Sequence, residues 1–193
     1  MTRTPLNFSV SSHTPMPMPV LFSYSFSAAP VASPAPSVPA KPKLHAYDYG
    51  EFLLALSSDW TQIPTAERNT LNFNAPALGA NIVVSLDFYD IPETKAQAVA
   101  EQNLAARLEA IEHVAPGRVQ LLHRNIKPHS GGRGLELSLA AEIPGQHVYV
   151  YLGYVTSRKI LNFTFVCRPG KSGRRAAAAL FNEIVPNFRP QLP

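Results

Sequence analysis

From Gly134 to Cys167 the chain reads GLELSLAAEIPGQHVYVYLGYVTSRKILNFTFVC, with apolar residues recurring at every second position. In its first part Leu135, Leu137, Leu139, Ala141 and Ile143 share one side, while Glu136, Ser138 and Glu142 share the other. A period of two with one apolar face predicts a half-buried strand. HVYVYLGYV alternates two apolar sets, which predicts a central strand covered on both faces. KILNFTFVC places Leu161, Phe163, Phe165 and Cys167 together. RVQLLHRNIK lies ahead of these three, and the polar, glycine-bearing turns HSGGRG, PGQ and TSRK are short. The four segments therefore predict an antiparallel meander. Further upstream, Ile82, Val84, Leu86 and Phe88 alternate with Ser85 and Asp87, LNFNAP reads as a short strand, and Phe52 and Leu54 alternate before a turn and Trp60.

Two stretches change to a helical period. Ala100, Leu104, Leu108 and Ile111, with Ala96 and Val99 beside them, form a stripe that leaves Glu101, Arg107 and Glu109 for solvent. Asp90 to Glu93 and Thr94 to Gln97 both have capping-box spacing, and Pro116-Gly117 ends the helix. A second helix is predicted from about Ser172 to Phe188, with Ala177, Leu180, Phe181, Ile184 and Phe188 inward. The order strands, helix, four-strand meander, helix predicts an α+β domain, mainly an antiparallel sheet with helices packed on it. It spans residues 44–193, enough chain to bury a core without metals or disulfides.

Residues 1–43 differ in kind. Nine of the nineteen prolines fall there, among alanines and serines and with few charges. Proline at that density interrupts helices, and the segment reads as a disordered leader or spacer. A rival reading is a secretory signal, with Val20–Phe26 as a short apolar core and Val38-Pro39-Ala40 near a cleavage point. Against it, the only upstream positive charge is Arg3, and prolines crowd the apolar run.

The chemistry-bearing residues are sparse. One cysteine, Cys167, excludes an intrachain disulfide and a cysteine-rich zinc site, and it reads as a small buried hydrophobe. The net charge of +4 is a mild bias without a basic stripe, so nucleic acid is not an expected partner. No run of about 18 apolar residues predicts a transmembrane helix. The six histidines form no HExxH pair, and His123 and His129 lack a carboxylate between them. RPGKSG before the last helix lacks the glycine of a phosphate loop, because Phe165 stands five residues before Gly170. A loose anion site there competes with a solvated basic turn. Asp87 and Asp90 have ordinary jobs, on a polar strand face and at a helix start. No catalytic, cofactor-binding or metal-binding residue is assigned, and no cofactor is expected. Tyr149, Tyr151 and Tyr154 stand out: if helices leave their sheet face uncovered, they offer a rigid amphipathic contact surface to a partner.

FLLALSSDW before a strand and a long helix, and then a meander ending in ILNFTFVC before ALFNEIVPNF, together resemble the PsbP-like α/β/α sandwich superfamily. That group includes the photosystem II extrinsic subunit, the Ran-binding nuclear-transport factor, DcrB-like proteins and effector-associated chaperones of type VI secretion. The resemblance covers roughly residues 47–190. In place of a proline before the tryptophan the chain has Ser57-Ser58-Asp59, and no lipoprotein cysteine follows an N-terminal apolar run. The resemblance implies protein binding without catalysis, and it carries over no site residue.

These observations lead to the expectation of a non-enzymatic protein-binding or chaperone-like module, such as a bacterial secretion-associated adaptor. Alternatives are an exported periplasmic accessory protein of the DcrB or PsbP-like type and a small-molecule binder with a pocket between sheet and helix. The expected partner is another protein; a homodimer is also allowed. A cytoplasmic location is expected unless the leader is a signal peptide.

Overall fold

The computed structural model describes residues 43–131, 133–168 and 173–191. Of the leader read over residues 1–43, residues 1–42 lie outside these, and so do Gly170, Lys171 and Ser172 of the basic turn.

The chain begins with strands β1 (Leu44–Asp48), β2 (Phe52–Ser57), β3 (Thr61–Ile63), β4 (Thr70–Ala75) and β5 (Ala80–Phe88). Helix α1 (Glu93–Val114) follows, then β6 (Gln120–Pro128), β7 (Leu135–Ile143), β8 (His147–Val155) and β9 (Lys159–Cys167). Helix α2 (Gly173–Ile184) and β10 (Phe188–Pro190) close the domain. β3 to β9 build one antiparallel sheet in the order β3-β4-β5-β9-β8-β7-β6, and β1-β2-β10 form a second, smaller one. α1 thus carries the chain from β5 to the far edge of the large sheet. The predicted meander β6 to β9 then returns it to β5, where Ala80 to Phe88 pair with Cys167 to Lys159.

Period-two alternation gives the large sheet two faces, each with its own core. On one side Phe73, Ile82, Val84, Leu161, Phe163 and Phe165 pack against Phe52, Leu54 and Leu56 of the small sheet and Ala177 and Ile184 of α2. On the other side Leu137, Leu139, Ala141 and Ile143 of β7, with Tyr151 and Val155 of β8, meet Ala100, Leu104 and Ile111 of α1. The layers are therefore α1, the seven-stranded sheet, then α2 beside the small sheet: an α+β sandwich of the expected class.

Several local expectations change. Neither capping box forms: Pro92 occupies the cap of α1 with no side-chain bond, and its carbonyl accepts from Lys95 N–H at 2.8 Å. The helix starts at Glu93, with Pro92 itself in the N-cap position, so Asp90 lies two residues ahead of the cap and is exposed. The second helix ends at Ile184, not Phe188, because Pro186 cannot continue it. A 3₁₀ turn follows, and Phe188 enters β10 opposite Leu54, where it is buried. Phe88, expected on the inner face, is 58% exposed at the end of β5.

β1 was not legible in the hydrophobic pattern because four of its five residues are exposed. It forms by pairing with β2, and its Tyr47 ring meets Phe73 edge-on at 4.9 Å. The small sheet is fastened to the large one by Lys159. This buried lysine at the start of β9 bonds the Glu51 carboxylate and, at 2.7 Å, the Gln191 carbonyl. A buried ammonium needs such partners to offset its lost hydration.

Candidate functional site: a trough beside α1

α1 lies over β6, β7 and β8. On the same face, β4, β5 and β9 carry Asn74, Asn81, Val83, Ser85 and Thr164, all half-buried, and Asn72, whose amide oxygen is buried without a hydrogen-bond partner among the described residues. The flank of α1 makes a wall and β9 a floor. The space between them includes a groove of about 770 Å³ lined by Tyr89, Lys95, Asn103, Arg107 and Ile160. A smaller cavity of about 190 Å³ continues along Arg107, Ala110, Tyr149, Thr164 and Val166.

A hydrogen-bonded cluster closes the base of this trough. Asn162, buried in the middle of β9, presents its amide oxygen to the Tyr151 hydroxyl at 2.8 Å. Its amide nitrogen donates to Ser85 Oγ at 3.2 Å and to Asp87 Oδ2 at 3.1 Å. The Asp87 carboxylate fixes which way this amide faces, because two oxygens would repel. Tyr151 Oη also lies 2.9 Å from Asn103 Oδ1 of α1. A phenol has one hydrogen, so only one of the two oxygens receives it. The Asn103 amide nitrogen in turn donates to Asn162 Oδ1 at 3.4 Å, so the amide of α1 bonds both the hydroxyl and β9.

Gly153 makes this geometry available. It stands two residues after Tyr151 on the same face of β8 and pairs with Asn162. A Cβ at Gly153 would lie 2.7 Å from Tyr151 Cζ. Without one, the ring lies back along the strand and its hydroxyl reaches Asn162. Arg107 covers the ring from above, its guanidinium carbon 5.2 Å from the centroid, in cation–π geometry. Burial holds the Tyr151 phenol well above its ordinary pKa, with Arg107 opposing the rise and Asp87 adding to it. Tyr151 is a neutral donor here, and its role is to tie α1 to β9.

The three tyrosines singled out in the sequence do not form one exposed patch. Tyr151 is buried beneath α1. Tyr149 is half-buried beside it at the trough, its ring 5.9 Å from His147, and burial raises its pKa. Tyr154 is buried in the opposite core, 6.3 Å from Phe188. Its phenol is pushed up to about 12 by burial first and Glu136 second. The parity of the strand requires this split, since odd and even positions point to opposite faces. Asn103 and Asn162 were not picked out from the sequence, and Arg107, expected to face solvent, instead lies over the Tyr151 ring. Asn162 carried the one usable signal, an amide amid the apolar residues of KILNFTFVC.

The remaining candidates have ordinary partners. His123 Nε2 lies 2.8 Å from Ser138 Oγ, and His129 Nδ1 accepts from Gly131 N–H at 3.0 Å. Cys167 is buried, and burial raises its thiol pKa. Among the described residues, no three His, Cys, Asp or Glu side chains converge as a metal site requires, and no helix is long and apolar enough to cross a membrane.

Comparison with known proteins gives the fold a counterpart. The solution structure of cyanobacterial PsbP (CyanoP) from Synechocystis superposes with a TM-score of 0.55 at 14% identity, covering 81% of this chain and 98% of that one. The fold is therefore PsbP-like. A crystal structure of a protein from Bacteroides thetaiotaomicron aligns with a TM-score of 0.41 at 10% identity, over 79% of this chain and 50% of that one, which is too distant to bear on the fold. No protein-family model matches the chain, and no curated protein matches it in sequence.

Proposed function

We propose that this protein is a non-enzymatic binding module that holds a segment of a partner protein in the trough between α1 and β9. The observation carrying this reading is the polar sheet face beside α1. Strands β4, β5 and β9 are held from behind by the phenylalanine-rich core, yet their front carries half-buried amides and hydroxyls beside α1 rather than an apolar face. A concave surface of amides and hydroxyls with a tyrosine and an arginine at its walls has the makeup of a protein-recognition site. The polar side chains at its base are engaged in tying α1 to β9, which suits a scaffold better than proton transfer.

The test places a photo-crosslinking residue at Ala106, on the trough wall, in the full chain within its native host. Glu109, on the flank of α1 facing β6, serves as the control position. A discrete adduct at Ala106 that is absent at Glu109 supports the reading. Equal adducts at both, or none at either, count against it.

A groove of about 770 Å³ also lies within the size range of small-molecule sites. This second reading predicts a ligand-dependent rise in melting temperature. A broad metabolite screen without any shift removes it.

A further inference from the structure

The trough is longer than its largest cavity. Arg107 and Ala110 line both the 770 Å³ and the 190 Å³ spaces, and Val166 lines both the latter and a third, of about 260 Å³, reached at Asn74, Asn81, His147 and Arg168. The three spaces are therefore neighbours, and their lining along β9 extends from Ile160 to Val166. At about 3.3 Å per residue that is roughly 20 Å, the reach of an extended segment of about six residues.

The charges along this trough are one-sided. Lys95 and Arg107 stand on the α1 wall and Arg168 at the far end, beside His147. The acid on its rim is Asp90; Asp87 is engaged at the base by Asn162. Among the described residues, the ion pairs use Lys127, Lys159 and Arg174, so Lys95, Arg107 and Arg168 face the trough without a carboxylate. Between these cations, Asn74, Asn81 and Thr164 offer uncharged donors and acceptors of the kind an extended backbone requires.

We propose that the occupant of the trough is an extended acidic peptide segment, its backbone along β9 and its carboxylates at Lys95, Arg107 and Arg168. This rests on the binding-module reading and adds the chemistry of the partner. Unpaired cations spaced along a groove steer an anionic chain and set its register, while like charges reject a basic one.

The experiment measures binding of labelled short peptides to the full-length protein by fluorescence anisotropy. Asp/Glu-rich peptides are set against Lys-rich and uncharged ones. The acidic peptides are expected to bind, and to weaken steeply as salt rises. Lys95→Glu with Arg107→Glu should lower that affinity by roughly tenfold or more and transfer the preference to Lys-rich peptides. Arg168→Glu, at an exposed position, gives an independent readout if the double variant does not fold. The proposal is overturned if the reversed variants keep the wild-type preference, or if a single-stranded oligonucleotide displaces the acidic peptides at lower concentration than they displace one another. Uncharged peptides that bind equally well and are expelled by Ala106→Trp would overturn the acidic assignment while leaving the trough as a binding site. Failure of every peptide class to bind would remove both.

Discussion

Strands β5 and β9 carry two different surfaces on their two sides. Behind, Ile82, Val84, Leu161, Phe163 and Phe165 are sealed under the small sheet and α2. In front, Asn81, Ser85 and Thr164 alternate with them, half-buried beside α1. The same ladder of hydrogen bonds serves both. The sealed side supplies the burial that stabilises the sheet, so the front need not be apolar for the strands to stay in place. This division explains how a domain can keep an amide-lined trough without losing its core.

The largest expected effect lies on the sealed side. Phe163→Ala removes a ring that is fully buried and 4.6 Å from that of Phe188, and should cost about 3–5 kcal/mol in urea denaturation. A cost below that of an exposed substitution would break the contrast at once. Next comes the junction between the roofed and open parts. Gly153→Ala drives a methyl into the Tyr151 ring and should destabilise by about 1–3 kcal/mol, with loss of the Tyr151–Asn162 contact visible by NMR. If stability and spectrum are unchanged, the ring does not depend on that space.

Smaller still, Thr164→Lys on the open front should shift stability by no more than about 0.5 kcal/mol, measured by thermal melting. A collapse would mean that the front is a packed surface. The smallest effect concerns His147, whose pKa is lowered by burial first and by the Arg168 charge second. The unfolded chain therefore takes up the proton first as pH falls below 6.5, and unfolding binds protons. Stability should decline on acidification below that value, and His147→Gln should flatten the decline in melting curves taken against pH. An unchanged slope would show that the ring is solvated as in a free peptide.

The sequence revealed the strands of the meander and the inner stripe of α1, because burial on one face imposes a period that survives in the residues themselves. Leu135 to Ile143 and Leu161 to Cys167 show this directly. β1 and β10 were hidden for opposite reasons. Four of the five residues of β1 are exposed and leave no periodic trace, while Phe188 of β10 continues the apolar spacing of α2 past Pro186. The trough could not be read at all. It depends on α1 sitting over β6 to β8 rather than over the middle of the sheet, and no spacing along one helix records where that helix lies across its neighbours. Tyr149 and Tyr151 were correctly paired by parity, but the cover over Tyr151 was a matter of packing.

The small sheet has one property that follows from its pairing alone. β1 and β10 both run antiparallel to β2, with Leu44 opposite Ser57 and Pro190 opposite Phe52. The chain therefore enters the domain at one end of β2 and leaves at the other. Tension applied between those points would pull β1 and β10 in opposite directions along the same axis. Their ladder bonds to β2 would be loaded together, in shear, instead of opening one after another like a zip. The Lys159 clamp on Glu51 and Gln191 adds a lateral fastening at the exit.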